Sequence, residues 1–258
     1  MFKRIRIAVL LYVLAFVAAG TYLAERRSTD WIEPLWVNVY AAPAHSVPPA
    51  LATEDLAAME EFLAAQARGY GVPLERPFRL HSAGAVEEPL PRLPEHGSRL
   101  DAIVWSLAMR WRVIELDWAS EAPTPDIVLF VVAHPEDGAP VERSAALRKG
   151  LVAVANIIDA PAARGSNRVV MAHELLHTLG ASDKYDPATS RPLHPHGYAD
   201  PDRAPLHPQR RAELMGGRIA LSALEAAVPG GLDDVVIGPL TAVEIGWLAD
   251  GAAARQQQ

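Results

Sequence analysis

The sequence predicts an α+β domain with α/β-like alternation, built on a mixed, twisted sheet, and three observations predict it. Apolar runs of strand length recur in "PLWVNVY" (34–40), "DIVLFVV" (126–132) and "GLVAVANII" (150–158). Two stretches with helical apolar spacing lie between the first two runs. The chain has 258 residues, half of them apolar and 21% charged, which is ordinary for a globular domain with a sizeable core. Strands and helices that interleave in this way pack as layers around one sheet.

The elements follow in chain order. Lys3, Arg4 and Arg6 precede an uncharged run from Ile7 to Ala24, the pattern of a targeting segment. Residues 1–26 are expected to be a signal-anchor. The alternative is a cleaved signal peptide, with Val17-Ala18-Ala19 before the cleavage point and a secreted product. A basic lead stays in the cytoplasm, so the expected location is a bacterial inner membrane, single-pass, with the domain on the periplasmic side. Residues 27–50 read as a tether and first strand, 34–248 as the folded domain, and 249–258 as a disordered tail.

"PLWVNVY" alternates as a half-buried strand does, and the prolines of "AAPAHSVPPA" end it. Thr53 is placed to cap a helix with Glu54 and Asp55 in its first turn and Leu56, Met59 and Leu63 on one face, ending at Gly69. A short strand is expected at "RPFRLHS". Ser98 then caps a second helix, whose buried stripe is read as Leu100, Ile103, Val104, Leu107 and Trp111. The continuous "DIVLFVV" predicts a central strand covered on both faces. After "GLVAVANII" the segment "DAPAARGSN" reads as a loop, with Ser166 or Asn167 capping the next helix and Gly180 ending it. Near the C-terminus, "GPLTAVEIGWL" reads as a short structural helix capped by Thr241, with Val243, Ile245 and Leu248 for packing.

The chemistry is concentrated in "MAHELLHTLGASDKYD" (171–186). His173 and His177 stand four apart on a helix, so both imidazoles leave the same face one turn apart and can reach one ion. Glu174 points beside the pair, placed to contact a metal-bound water without being a ligand. A bare H-E-x-x-H is common by chance, but Gly180 lets the chain turn out of the helix and swing Asp183 back as a third ligand. Asp186 and the later histidines His194, His196 and His207 stand as alternatives for that third position. Two imidazoles, one carboxylate and one open position make a catalytic zinc site rather than a closed structural one. The chain has no cysteine, so thiolate ligands, a cysteine nucleophile and disulfides are excluded. A net charge of -7 argues against nucleic acid as a partner.

The longer pattern H-E-L-L-H-T-L-G-A-S-D resembles the metzincin class of zinc endopeptidases, whose third ligand stands six residues after the second histidine. Aspartate at that position, followed two residues on by Tyr185, is similar to the snapalysin-type subgroup. The resemblance implies a zincin-like fold with an active-site helix and a methionine-containing turn beneath the metal, which "AELMGGRI" supplies as Met215. It also implies an upstream edge strand that binds extended substrate, a place that "LVAVANII" would take. Met215 also reads as ordinary core, and Tyr185 as a packing aromatic rather than a group that helps hold the oxyanion.

The expected function is therefore zinc-dependent hydrolysis of a protein or peptide substrate, with one Zn2+ and Glu174 as general base. The competing expectation is a membrane-tethered zincin-fold binding or assembly protein whose metal site is not catalytic. The long Pro-rich segment 184–209 is expected to form a wall of the cleft. His45, His81, His96 and His134 lack ligand spacing and are expected to face solvent or local partners.

Overall fold

In a computed structural model, the described residues are 31–44, 51–92, 99–119, 124–136, 144–147 and 151–249, with positions 4–7, 10–12, 14, 15, 18, 19 and 22 near the N-terminus. Much of the expected signal-anchor, and the expected tail after residue 249, lie outside them. Among the described residues no helix is long and apolar enough to cross a membrane.

The domain is a mixed α/β structure around a five-stranded sheet. Its strands are β1 (Leu35–Pro43), β2 (Phe78–Ala85), β3 (Ile127–Pro135), β4 (Ala145–Leu147) and β5 (Val152–Asp159), in the spatial order β2-β1-β3-β5-β4. Neighbouring strands among β2, β1, β3 and β5 run parallel; β4 alone is antiparallel, along the outer side of β5. The helices are α1 (Thr53–Gly69), α2 (Arg99–Ala119), α3 (Arg164–Leu179) and the short α4 (Pro239–Glu244).

The alternation of side chains along the central strand builds two cores. Ile127, Leu129 and Val131 of β3 join Val37 and Val39 of β1, and on these pack Leu56, Met59 and Leu63 of α1 and Met171, Leu175 and Leu176 of α3. Val128, Phe130 and Val132 face the other way and meet Tyr40, Trp105 and Met109. The unbroken apolar run of β3 is thus covered on both faces, as expected. Trp31, read as part of the tether, is core: it packs edge-on against Phe78 and Trp247 and its indole N–H donates to Ile245 O at 3.0 Å.

Several expectations are corrected. The stripe predicted for α2 faces outward: Leu100 and Val104 are 71% and 65% exposed, and Ile103, Leu107 and Trp111 are exposed too, while Trp105 and Met109 are 7% and 0%. The helix carries two apolar faces at helical spacing, and the sheet takes the one with the bulky Trp105, which also donates to Pro91 O at 2.9 Å. The strand expected at the edge, β5, is interior, because β4 from a stretch without strand signal pairs along its outer side. Thr53 and Thr241 do not cap their helices; Ala52 and Gly238 occupy those positions. Residue 98 lies outside the described residues.

Candidate metal centre

Helix α3 begins earlier than expected, at Arg164 after a 3₁₀ turn over Pro161–Ala163, with Ala163 rather than Ser166 or Asn167 at its cap. Ser166 donates instead to Ala163 O, and the Asn167 amide brackets the backbone of Ile158, donating to its carbonyl at 2.7 Å and accepting from its N–H at 3.1 Å. That bracket fixes the helix against the end of β5. Arg164 and Arg168 both donate to Asp55 Oδ1, at 2.8 and 2.6 Å, which ties the start of α3 to the start of α1. A Cβ on Gly165 would stand 1.8 Å from Gly230 O, so the helix entry needs glycine to lie against that loop. At the other end Gly180 takes φ 106°, a left-handed value that favours glycine, and the chain leaves the helix there as expected.

The turn brings His173, His177 and Asp183 together. His173 Nε2 lies 3.0 Å from His177 Nε2, and Asp183 Oδ1 lies 3.1 and 3.2 Å from these two nitrogens. Three donors on one face of a tetrahedron with bonds of about 2.0–2.1 Å stand roughly 3.3 Å apart, so the observed triangle fits a small tetrahedral ion. Among the described residues this is the group that could hold a metal ion. The inner ring nitrogens are also engaged: His173 Nδ1 meets Leu214 O at 2.9 Å and His177 Nδ1 meets Ala181 O at 2.7 Å. A carbonyl can only accept, so each Nδ1 carries a proton, and in the neutral ring the Nε2 lone pair is left to face the shared point.

The charges respond to this crowding. Burial pushes His173 down, but hydrogen bonding to Asp183, the Glu174 charge and the Leu214 carbonyl more than offset it and leave its pKa raised. Asp183 is held well below the usual carboxylate range: burial raises it, and hydrogen bonds from His173 and His177 outweigh that. Burial raises Glu174, with the two histidines opposing. Glu174 is buried, lines the cleft, and its Oε2 has no hydrogen-bond partner. A buried carboxylate oxygen left unpaired costs stability and marks a group kept for something other than the fold.

Two acids that sequence reasoning passed over hold this three-residue group in place. Glu213 is fully buried and accepts from Gly216 N at 2.8 Å, Gly238 N at 3.0 Å and Thr241 Oγ1 at 2.7 Å. It thereby fixes the 3₁₀ turn Leu214–Gly216, which contains the buried Met215 and presents Leu214 O to His173. Burial raises the Glu213 pKa against these hydrogen bonds and the Lys184 charge. Glu244 of α4 accepts from Ser182 N at 3.1 Å, from Ser182 Oγ at 2.5 Å and from Lys184 Nζ at 2.7 Å, gripping both neighbours of Asp183. Lys184 N donates to Met215 O at 2.8 Å, joining the two supports. So α4, expected to be only structural, positions Asp183. A charged residue directly before an apolar Leu-Met pair and a lysine beside Asp183 were the available signals.

His173, Glu174, Asp183 and Tyr185 line a cleft of about 770 Å³, together with Asn156 of β5 and Ser144 just before β4. Tyr185 stands with its ring 6.3 Å from that of His173. The segment after the ligands does form a wall, through Tyr185, Pro187 and Ser190, but it is shaped by a small hairpin pairing β6 (Tyr185–Asp186) with β7 (Arg191–Pro192). Asp186, the alternative ligand, is spent on Ala188 N and Thr189 Oγ1. His194 and His207 are engaged by Pro201 O and Tyr198 Oη, and neither joins the metal group, nor does His196. His134 is buried against Asn156 at 2.7 Å, a local partner as expected; His45 and His96 lie outside the described residues. No known family model matches the chain, and no characterised protein matches it.

Proposed function

We propose that the protein is a zinc metallopeptidase of metzincin-like fold, tethered by its N-terminal segment to the outer face of a bacterial inner membrane. The observation that carries the reading is Glu174: a buried carboxylate with an unpaired oxygen stands beside a three-donor triangle that leaves one tetrahedral position open. A metal site serving only the fold has no use for it. The antiparallel edge strand β4, the left-handed exit at Gly180 and the Met215 turn under His173 also support the resemblance, with β4 rather than β5 taking the substrate-strand place.

His173, His177 and Asp183 would hold the ion. Zinc, when bound, supplies Lewis acidity and brings water toward a pKa of about 7. Glu174 takes the proton of the attacking water and returns it to the leaving nitrogen. Leu214 O and Ala181 O keep the histidine tautomers correct through the cycle. Tyr185, which lines the cleft, would donate toward developing negative charge on the substrate carbonyl. The decisive test is Glu174→Ala. It is expected to retain zinc by elemental analysis and to lose chelator-sensitive peptide hydrolysis; a fully active variant contradicts the role.

A further inference from the structure

The cleft carries a cation that the reaction above does not use. Gly217, with φ 72°, turns the chain out of the Met215 turn, and Arg218 follows into the cleft wall, half-buried. Arg76, Arg112, Arg164 and Arg168 are each ion-paired. The guanidinium of Arg218 has no acceptor among the described residues. The acids of the cleft do not answer it: Asp183 is paired with His173 and His177, and Glu174 Oε2 has no partner. The same cleft is lined by Ser190, a non-glycine residue at φ 53°. Backbone held in that region persists where the surrounding structure over-determines it, often at ligand sites.

A planar fork of N–H donors in a half-enclosed cleft is suited to a carboxylate, which it can grip with two parallel bonds. We propose that Arg218 receives a carboxylate of the substrate, so that the cleft selects acidic peptides. The carboxylate comes either from an Asp or Glu side chain near the scissile bond or from a free peptide C-terminus. This rests on the peptidase reading of the same cleft.

The test measures binding, so it does not depend on turnover. Zinc-loaded full-length Glu174→Gln protein is titrated with capped pentapeptides that differ only by Glu or Gln at one scanned position. A second arm uses uncharged pentapeptides with a free or an amidated C-terminus. One arm is expected to show about ten- to a hundredfold tighter binding of the carboxylate member, the scale of a charge-assisted pair. The arm that responds names the source. Arg218→Ala in the same background abolishes the preference, Arg218→Lys keeps part of it, and Arg218→Glu turns it toward lysine peptides. Equal binding within every pair, or a preference unchanged in Arg218→Ala, overturns the proposal. Cleavage of the same peptides by the wild type is scored separately: preference without cleavage retains Arg218 and overturns the peptidase, and cleavage without preference does the reverse.

Discussion

Replacing Glu213 with alanine gives the sharpest test of how the centre is supported. The substitution strands three buried donors, the N–H groups of Gly216 and Gly238 and the hydroxyl of Thr241. Each stranded donor costs about 1–3 kcal/mol. Part of that is offset, because a carboxylate whose charge burial disfavours is removed with it. The net expectation is a loss of about 3–5 kcal/mol, a large share of the 5–15 kcal/mol typical of a domain. The assay is urea denaturation of the zinc-free protein, read as a lower midpoint at unchanged slope. Glu213→Gln, which keeps the shape and one accepting oxygen, is expected to lose about 1–2 kcal/mol. In folded Glu213→Gln the Leu214 carbonyl is less firmly aimed at His173, so zinc affinity falls by about tenfold. A loss below about 1 kcal/mol in the alanine variant would refute the claim that this acid organises the turn.

The other predictions concern the same neighbourhood. Glu244→Ala frees Ser182 and Lys184 on either side of Asp183 and should weaken zinc binding about tenfold with little change in the imidazole pair, measured by competition with a chromogenic chelator. Although burial pushes Glu244 up, its bonds to Lys184 and Ser182 leave it lowered in the folded protein. Its contribution is therefore present above the unfolded value of about 4.3 and is lost as pH falls through the folded pKa; Glu244→Gln should flatten that acid limb of a stability profile of the zinc-free protein. Gly216→Ala places a Cβ 2.3 Å from Gly197 O and should cost about 2–3 kcal/mol in thermal or urea melts, since backbone must move on both sides.

The ligand set was legible because it is local. The i, i+4 histidines and the glycine exit lie within one helix and its first turn, so the spacing already points Asp183 back toward the two rings. Helix α1 was legible for the same reason, its buried residues matching its period, and β3 from its unbroken apolar run. Strand β1, read as half-buried from its alternation, is instead covered on both faces, with Trp36 its one exposed residue, because β2 and β3 flank it and cores lie on either side. What sequence reasoning missed is non-local. Which face of α2 is buried depends on the sheet it meets, and both faces carry apolar side chains at the right spacing. Strand β4 exists only as a pairing along β5. Glu213 and Glu244 act on groups brought near by the fold, across 25–28 residues to Gly238 and Thr241 and 60–62 residues to Lys184 and Ser182. No periodicity records such a partner.

The most direct measurement of the central claim is a crystal structure of the zinc-loaded protein with anomalous data at the zinc edge. The account predicts one anomalous peak about 2.0–2.2 Å from His173 Nε2, His177 Nε2 and an Asp183 carboxylate oxygen, with an open position toward Glu174. A peak elsewhere, a closed site with a fourth protein ligand, or a peak from which Asp183 stands away would contradict it.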